Sequence, residues 1–497
     1  MGCGKRSLAQ CQVLLIPDEL DKGCVMVIAL IILGLVIITV LFHLYSPWWL
    51  TPIASNWGAI DTTIEISFWI TGLVFIAVNC FLAWVVWRYK HTGKHQAHYE
   101  PESKKLELWL TGLTAIGVIA MLTPGLIAWA KVVNVPSEAT NVEAIGQQWQ
   151  WTFRFPGADG ELGGADARFV TATNPYGIDP EDPKGQDDLI VNSHQLHLPV
   201  GKPVKMLLRS NDVLHNFAVP QFRVKMDLVP GTVTYQWFEP SRVGTFDILC
   251  EELCGVAHFT MRAQVIIEEE DAYLAWLNRQ PTFAQTQRSP APDLVAGKQL
   301  YSTCGACHGV NGGGLAAMQA PNLSGLAAWY MDRQLRYYRE GVRGAHPADS
   351  SGQQMAAMAK SVTKAEDLHN LLAYIESLPV VAAPATLGGD PARGAQVYQP
   401  CVVCHGANGQ GTAALQAPQL AGQADWYLYT QLKYFSTGWR GKHPKDQYGS
   451  QMRLMTSTIQ SPERLQDLLA YIATLPVSGN HQEQLARATI AEGVQQP

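Results

Sequence analysis

The sequence predicts a multidomain chain: N-terminal transmembrane helices, then a small all-β domain, then two small all-α domains related by duplication. Three observations predict this. Long uncharged apolar runs are confined to the part before about residue 134. Short β-branched runs punctuated by Gly, Pro and Asp fill the stretch from about 141 to 269. Beyond that the chain repeats itself at a fixed offset. Length agrees, because 497 residues at roughly 150 per domain suggest about three units. Only 16% of residues are charged, and 36 Lys and Arg against 42 Asp and Glu give a net charge of -6. That balance argues against a nucleic-acid partner. A mean hydropathy near zero averages very apolar segments against polar ones.

After a cytoplasmic N-terminus (1–23), a membrane anchor covers 24–133, with helices expected at about 24–45, 66–87 and 108–133. The first run, Val25 to Leu41, carries no charge. A cleaved signal peptide is the alternative for it, but its core exceeds the roughly 7–15 residues of such peptides. Lys5, Arg6 and Lys22 precede this run, and Arg88, Lys90, Lys94, Lys104 and Lys105 follow the second. The positive-inside rule then places both basic segments in the cytoplasm and everything after about residue 134 outside. Trp48, Trp49 and Trp57 suit the outer interface, Trp84 and Trp87 the inner one. Glu107, at the cytoplasmic start of the third run, is either a solvated carboxylate or part of a proton path.

The β domain is expected over 134–280, with strands such as Gln150–Phe155, Asp188–Val191, Val204–Arg209, Thr232–Glu239 and Arg262–Ile267. Asn174 to Asp188 reads as a loop whose acidity could suit a basic partner. Inside the domain lies CEELCGVAHFTM, Cys250 to Met261. Two thiolates, an imidazole and a thioether from one loop are soft and borderline donors that suit copper, and a second thiolate allows two copper ions to be bridged. A further His must come from elsewhere. His215, in DVLHNFAVP and expected on a loop, is the best candidate, with His194 or His197 as alternatives. A Cys250–Cys254 disulfide or a zinc site are the competing readings, and neither needs Met261.

CEELCGVAHFTM, DVLHNFAVP, KMDLVPG at Lys225–Gly231 and GQQWQWTF at Gly146–Phe153 together resemble the cupredoxin-like binuclear-copper (CuA) domain of cytochrome c oxidase subunit II. The two spans around IDTTIEISFWI and WRYK resemble the membrane hairpin of that family. The resemblance implies copper ligation by His215, Cys250, Cys254, His258, Met261 and the main-chain carbonyl of Glu252. It also implies a magnesium ion facing the Glu252 side chain at the contact with subunit I, and Trp149 as the residue through which electrons reach the copper. Glu107 in KLELWLT is similar to the carboxylate at the mouth of a proton channel, but Trp109 follows it too closely and no Pro comes until Pro124. The extra first span is a second departure.

TFAQTQRSPAPD suggests a linker (281–292) to two haem-binding units, 293–380 and 392–478, with a second linker at 381–391 and a tail at 479–497. CGACH (Cys304, Cys307, His308) and CVVCH (Cys401, Cys404, His405) have the form that attaches c-type haem, two thioethers with the adjacent His on the iron. They lie 97 residues apart, and the same offset links Pro321 to Pro418, Tyr330 to Tyr427, Arg343 to Arg440, His346 to His443 and Met355 to Met452. The units resemble dihaem class I cytochromes of the c4 kind. Spacing from the last helix then implies Met355 and Met452 as axial ligands, in preference to Met358 and Met455. His346 and His443, each before a Pro, either support a haem propionate or do nothing.

Together these features resemble subunit II of a caa-type terminal oxidase in a dihaem form. That implies a subunit of cytochrome c oxidase in a bacterial inner membrane, with its redox domains periplasmic. Subunits I and III would be partners, as would membrane lipid and a cytochrome c or bc1-type donor. The CuA subunit of a nitric oxide reductase, or a membrane-tethered electron shuttle, are the alternatives. Six of the ten cysteines are thereby assigned to metal centres, leaving Cys3, Cys11, Cys24 and Cys80 at the cytoplasmic end or within spans.

Overall fold

A computed structural model describes residues 18–46, 51–89, 101–171, 174–191, 193–287, 291–413, 415–459 and 461–477. Cys3, Lys5, Arg6, Cys11, Trp48, Trp49, Lys90, Lys94 and the expected tail lie outside the described residues. The chain divides into two units, 1–137 with 221–223, and 138–220 with 224–497.

Among its described residues the first unit holds three helices long and apolar enough to cross a membrane: α1 (Asp18–Tyr45), α2 (Gly58–Arg88) and α3 (Lys104–Val133). Leu30, Leu73 and Leu113 are 60%, 70% and 69% exposed, which suits a lipid solvent and not water. All three helices begin earlier than the apolar runs suggest. In α2 the reason is visible, since the Thr62, Thr63 and Ser67 hydroxyls donate to the carbonyls of Gly58, Ala59 and Thr63 and so need no water.

Among the described residues of the second unit, ten strands form two five-stranded sheets. They are β1 (Thr140–Gln147), β2 (Gln150–Phe155), β3 (Leu189–Val191), β4 (Gln195–Pro199), β5 (Val204–Ser210), β6 (His215–Val219), β7 (Val224–Leu228), β8 (Thr234–Phe238), β9 (Gly244–Leu249) and β10 (Arg262–Glu268). The sheet orders are β3-β2-β1-β5-β8 and β4-β10-β9-β6-β7. Trp151 from one sheet meets Phe217 from the other edge to face, at 5.5 Å between centroids, in the core.

Two expectations are corrected here. The stretch from Asn174 to Asp188 contains a short helix, α4 (Pro183–Gln186), and Asp188 is fully buried, so its charge is not offered to a partner. Arg154 takes it instead, bridging Asp188 and Glu143 at 2.9 and 2.7 Å, with Arg209 on the other oxygen of Glu143. The expected linker at 281–292 also begins as structure. After α5 (Glu270–Leu277), α6 (Phe283–Gln287) buries Phe283 against Ile145, Tyr176, Ile178 and Ile190 of the β domain.

Two four-helix modules follow: α7 (Leu294–His308), α8 (Ala328–Arg339), α9 (Ser350–Ala359) and α10 (Ala365–Glu376), then α11 (Pro391–His405), α12 (Asp425–Thr437), α13 (Gln447–Met455) and α14 (Pro462–Ile472). First and last helices cross tightly. A Cβ on Gly297 would lie 2.2 Å from the Asn370 carbonyl oxygen, and one on Gly394 would lie 1.9 Å from that of Asp467, so only glycine permits either crossing. Asp293 and Asp390 cap α7 and α11, and their backbone N–H groups donate to Asn370 and Asp467 at the same register.

The second module rests on the β domain through α13. The His194 backbone donates to Gln447 (3.0 Å), the Tyr448 hydroxyl to Gln150 (3.3 Å) and the Gln451 amide to the Trp149 carbonyl (2.6 Å). His194 is buried at this contact, its ring 5.7 Å from that of Tyr448, and neither ring nitrogen has a hydrogen-bond partner among the described residues. Burial pushes its pKa down to about 3. A His kept neutral by the fold takes a proton only when released, so stability is lost as pH falls below about 6.5, by about 1.4 kcal/mol per unit. Melting temperatures measured between pH 7 and 5 should fall for the native chain, and His194→Phe should flatten that slope.

Candidate metal and haem centres

The loop from Cys250 to Met261 joins β9 to β10, and the Cys250 backbone closes its base by donating to the Met261 carbonyl at 3.3 Å. Strand β6 runs antiparallel beside β9 with Ala218 opposite Leu249, which carries the chain after Leu249 back toward His215. His215, expected on a loop, is instead the first residue of β6 and fully buried. A strand end serves better than a loop, because the ladder fixes its position. The sulfurs of Cys250 and Cys254 lie 3.8 Å apart, and the nearest ring nitrogens of His215 and His258 lie 4.0 and 3.4 Å from Cys250 and Cys254 respectively. The Met261 sulfur is 3.9 Å from Cys254, and the Glu252 carbonyl 3.3 Å from Cys250. The donors named from the sequence thus gather round the two sulfurs, with His215, Cys250, Cys254 and Met261 buried and Glu252 and His258 half-buried at the edge.

That geometry suits one of the readings better than the others. A disulfide needs about 2.05 Å between sulfurs, and a closed zinc site takes four donors where six are gathered here. Two thiolates, two imidazoles, a thioether and a carbonyl fit copper. The hydrogen bond from Cys254 holds the Cys250 thiol well below its ordinary range against the opposing effect of burial, while the same contact and burial push Cys254 up. The two sulfurs thus differ in their hold on a proton, and a bound cation would favour both as thiolates.

His194 and His197 are not ligands. His194 sits at the module contact, and His197 stacks on Trp276 at 4.3 Å with its Nδ1 2.9 Å from Glu268. The expected magnesium has no support. Among the described residues the one grouping of three metal-binding side chains is His215, Cys250 and Cys254, and it does not include Glu252.

Asp212 was not anticipated. Its carboxylate lies 2.8 Å from His215 Nε2, leaving Nδ1 to face the sulfurs, and it also accepts from the backbones of Gln148 and Val213. Against the opposing pull of burial, Asp212 and Cys250 raise the pKa of His215. An acid three residues before a candidate ligand was the available signal, since metal-binding imidazoles are commonly oriented by a carboxylate on the other nitrogen.

Trp149 occupies the turn between β1 and β2, not a strand, and is only 4% exposed. Its indole N–H donates to the Cys254 carbonyl at 3.2 Å, and the Gln148 amide donates to the same oxygen at 2.8 Å. Gly255 makes this approach possible, for its φ is +124° and a Cβ there would meet Gln148 and Trp149 at 2.9 and 3.0 Å. Glu107 stands in the first turn of α3 and is exposed.

Each CxxCH ends the first helix of its module, and Cys304, Cys307 and His308, like Cys401, Cys404 and His405, open into a cavity of their own. The Nδ1–H of His308 donates to the Pro321 carbonyl at 2.9 Å and that of His405 to Pro418 at 2.8 Å, so Nε2 is left for iron. Burial lowers the pKa of both rings, with the proline carbonyls partly opposing it. Met355 and Met358 both line the first cavity, Met452 and Met455 the second. Met358 is 42% exposed, which favours Met355. His346 stacks instead on Trp439 of the other module at 3.9 Å, and neither His346 nor His443 lines a haem cavity.

Between the cavities lies an apparatus that sequence reasoning noted only as recurring positions. Arg343 donates to Gln334 (2.7 Å), Tyr427 (2.8 Å) and Gln431 (2.9 Å), and Arg440 donates to Gln431 (2.7 Å) and Gln334 (3.2 Å). Both arginines are buried, and no carboxylate pairs with either among the described residues. Cavities lined by CxxCH, a methionine and an unpaired guanidinium fit haem, whose propionates would meet those charges.

Comparison with known proteins matches the chain to two families. The family described as cytochrome C oxidase subunit II, periplasmic domain, matches residues 140–269, and the cytochrome c family matches 294–379 and 391–476. An alternative cytochrome c oxidase subunit 2 of Bradyrhizobium diazoefficiens is 60% identical over 259 residues, covering 52% of this chain and 94% of that protein. A cytochrome c oxidase subunit 2 of Cereibacter sphaeroides is 27% identical over 244 residues, 46% of this chain and 77% of that one. Among solved structures, reduced cytochrome c4 from Pseudomonas stutzeri is 26% identical, with a TM-score of 0.30 over 37% of this chain and all of that one. Asp212→Asn should weaken copper retention by about 10–100-fold, measured by competition with a chelator. Unchanged retention would remove Asp212 from the site.

Proposed function

Since the chain belongs to the cytochrome c oxidase subunit II family, we propose that it is the electron-transfer subunit of a haem–copper oxidase, carrying a binuclear CuA centre and two covalently bound haems c. It takes electrons from a cytochrome donor and passes them to the haem of subunit I, where the complex reduces oxygen to water and pumps protons. The gathering of His215, Glu252, His258 and Met261 round the buried sulfurs of Cys250 and Cys254 carries this reading. Bound copper would supply a centre in which two metal ions share one electron.

The chain's own residues supply the remaining requirements. Asp212 holds the His215 ring in one orientation. Trp149 joins the copper loop to the second haem module, since its N–H reaches Cys254 and its carbonyl is held by Gln451. His308 and His405, oriented by Pro321 and Pro418, with Met355 and Met452, would complete the two haem sites. Leu253, Val256 and Phe259 are 80%, 50% and 47% exposed at the tip of the copper loop, an apolar patch suited to docking on subunit I. Three membrane-length helices and the basic segments support a multi-pass anchor in a bacterial inner membrane with the copper and haem domains periplasmic.

Purification of the intact complex tests this. Two copper ions and two haems c per copy of this chain are expected, with haem a in a co-purifying subunit and oxygen uptake blocked by cyanide. Absence of copper from this chain, or a partner that reduces only nitric oxide, overturns it. Met355→His should lower the potential of one haem c. An unchanged potential would transfer the ligand to Met358.

A further inference from the structure

The duplication supplies an internal control, because most of the residues of the haem modules that line one cavity have a counterpart 97 positions away lining the other. Tyr330 and Tyr427, and Gln334 and Gln431, line both cavities. Arg343 and Asp349 line the first as Arg440 and Asp446 line the second. The two aspartates do the same work, each capping the helix that bears the methionine, α9 or α13. So far the charges of the two sites match.

They differ at one place. Arg333 of the first module projects from α8 into the cavity of the second, whereas its counterpart Thr430 projects from α12 into the cavity of the first. Thr430 is neutral and its hydroxyl is satisfied by the Trp426 carbonyl at 2.8 Å. Arg333 is 6% exposed, donates to the side-chain and backbone oxygens of Gln416 at 2.8 and 2.9 Å, and lies 4.4 Å from the centre of the Tyr448 ring. Its Nε has no hydrogen-bond partner, and no carboxylate pairs with it among the described residues. A guanidinium stays charged even when buried, and a buried charge without a counter-ion is costly. Arg333 lines the second haem cavity as well as the cleft toward the β domain, and Asp446 acts on it only from beyond ion-pair distance, so an anionic group in that cavity would meet a guanidinium that no carboxylate neutralises directly.

We propose that Arg333, contributed by the first module, serves the haem site of the second as a positioning and charge-setting residue. It makes the second site the higher-potential one, so that an electron on the chain settles beside Trp149. This rests on the reading of both modules as haem c carriers. The physical reason is Coulombic. Reduction removes a positive charge from the site, so an extra cation in a low-dielectric wall favours the reduced form. Among the described residues, the counterpart of Arg333 at the first site is the neutral Thr430. The asymmetry also points the right way, because the second cavity is the one lined by Trp149, Ala257 and Thr260 of the copper domain.

A potentiometric titration of the c-type haem absorbance in the purified complex tests it. Two waves are expected in the native chain. Arg333→Thr, which copies the other repeat, should lower the upper wave by about tenfold in the one-electron equilibrium, about 59 mV, and leave the lower wave in place. Arg333→Lys should restore most of the shift, and the reciprocal Thr430→Arg should raise the lower wave. If R333T leaves the upper wave unmoved, or moves the lower one, the proposal is wrong. Should R333T lose its haem, T430R decides alone, an unmoved lower wave counting against the idea. Fewer than two haems c in the native chain would instead overturn the dihaem reading.

Discussion

Trp149 is held on two sides at once. Its indole N–H is bound to the carbonyl of Cys254 in the copper loop, and its own carbonyl is bound to Gln451 on α13 of the second haem module. Backbone and side chain of one residue thus connect two domains distant in sequence, and each connection requires a local concession. The copper loop needs Gly255 in a backbone conformation closed to other residues. The turn between β1 and β2 must accommodate a tryptophan that is only 4% exposed.

The copper site shows why a strand scaffold is used. Most of its donors come from one loop, which alone would be too pliable to hold them. The loop is clamped at its base between β9 and β10, and the remaining imidazole arrives from the start of β6, next in the same sheet. Asp212 then fixes that ring from behind. A small change in register would separate His215 from the sulfurs, so sheet pairing and metal chemistry constrain one another.

Much of this was legible in the sequence where chemistry is local. CEELCGVAHFTM and the two CxxCH segments carry their donors within a few residues, and the fixed offset revealed the duplication. What escaped was set by tertiary contact. His215 was expected on a loop because nothing in DVLHNFAVP announces the partner strand β9. Phe283 was placed in a linker because its flanks are rich in Gln and Pro, yet it fills a gap beside Ile145 and Ile190. Asp188 lies in an acidic, Gly-rich stretch that reads as solvated, while Arg154, on β2, claims it. His346 and His443 recur at the same offset yet diverge in use, since the stacking partner of His346, Trp439, belongs to the other module.

Copies made by duplication start with identical faces, and the α13 contact shows how one was committed. Gln447 and Tyr448, which grip the β domain, occupy the positions where α9 has Ser350 and Ser351. The same helix also bears Met452, so the element that seats the second module is the one that reaches into its cavity. Mounting and wiring are thereby a single mechanical part. The short serines on α9 cannot reproduce that grip, and the two modules, though alike in plan, cannot trade places.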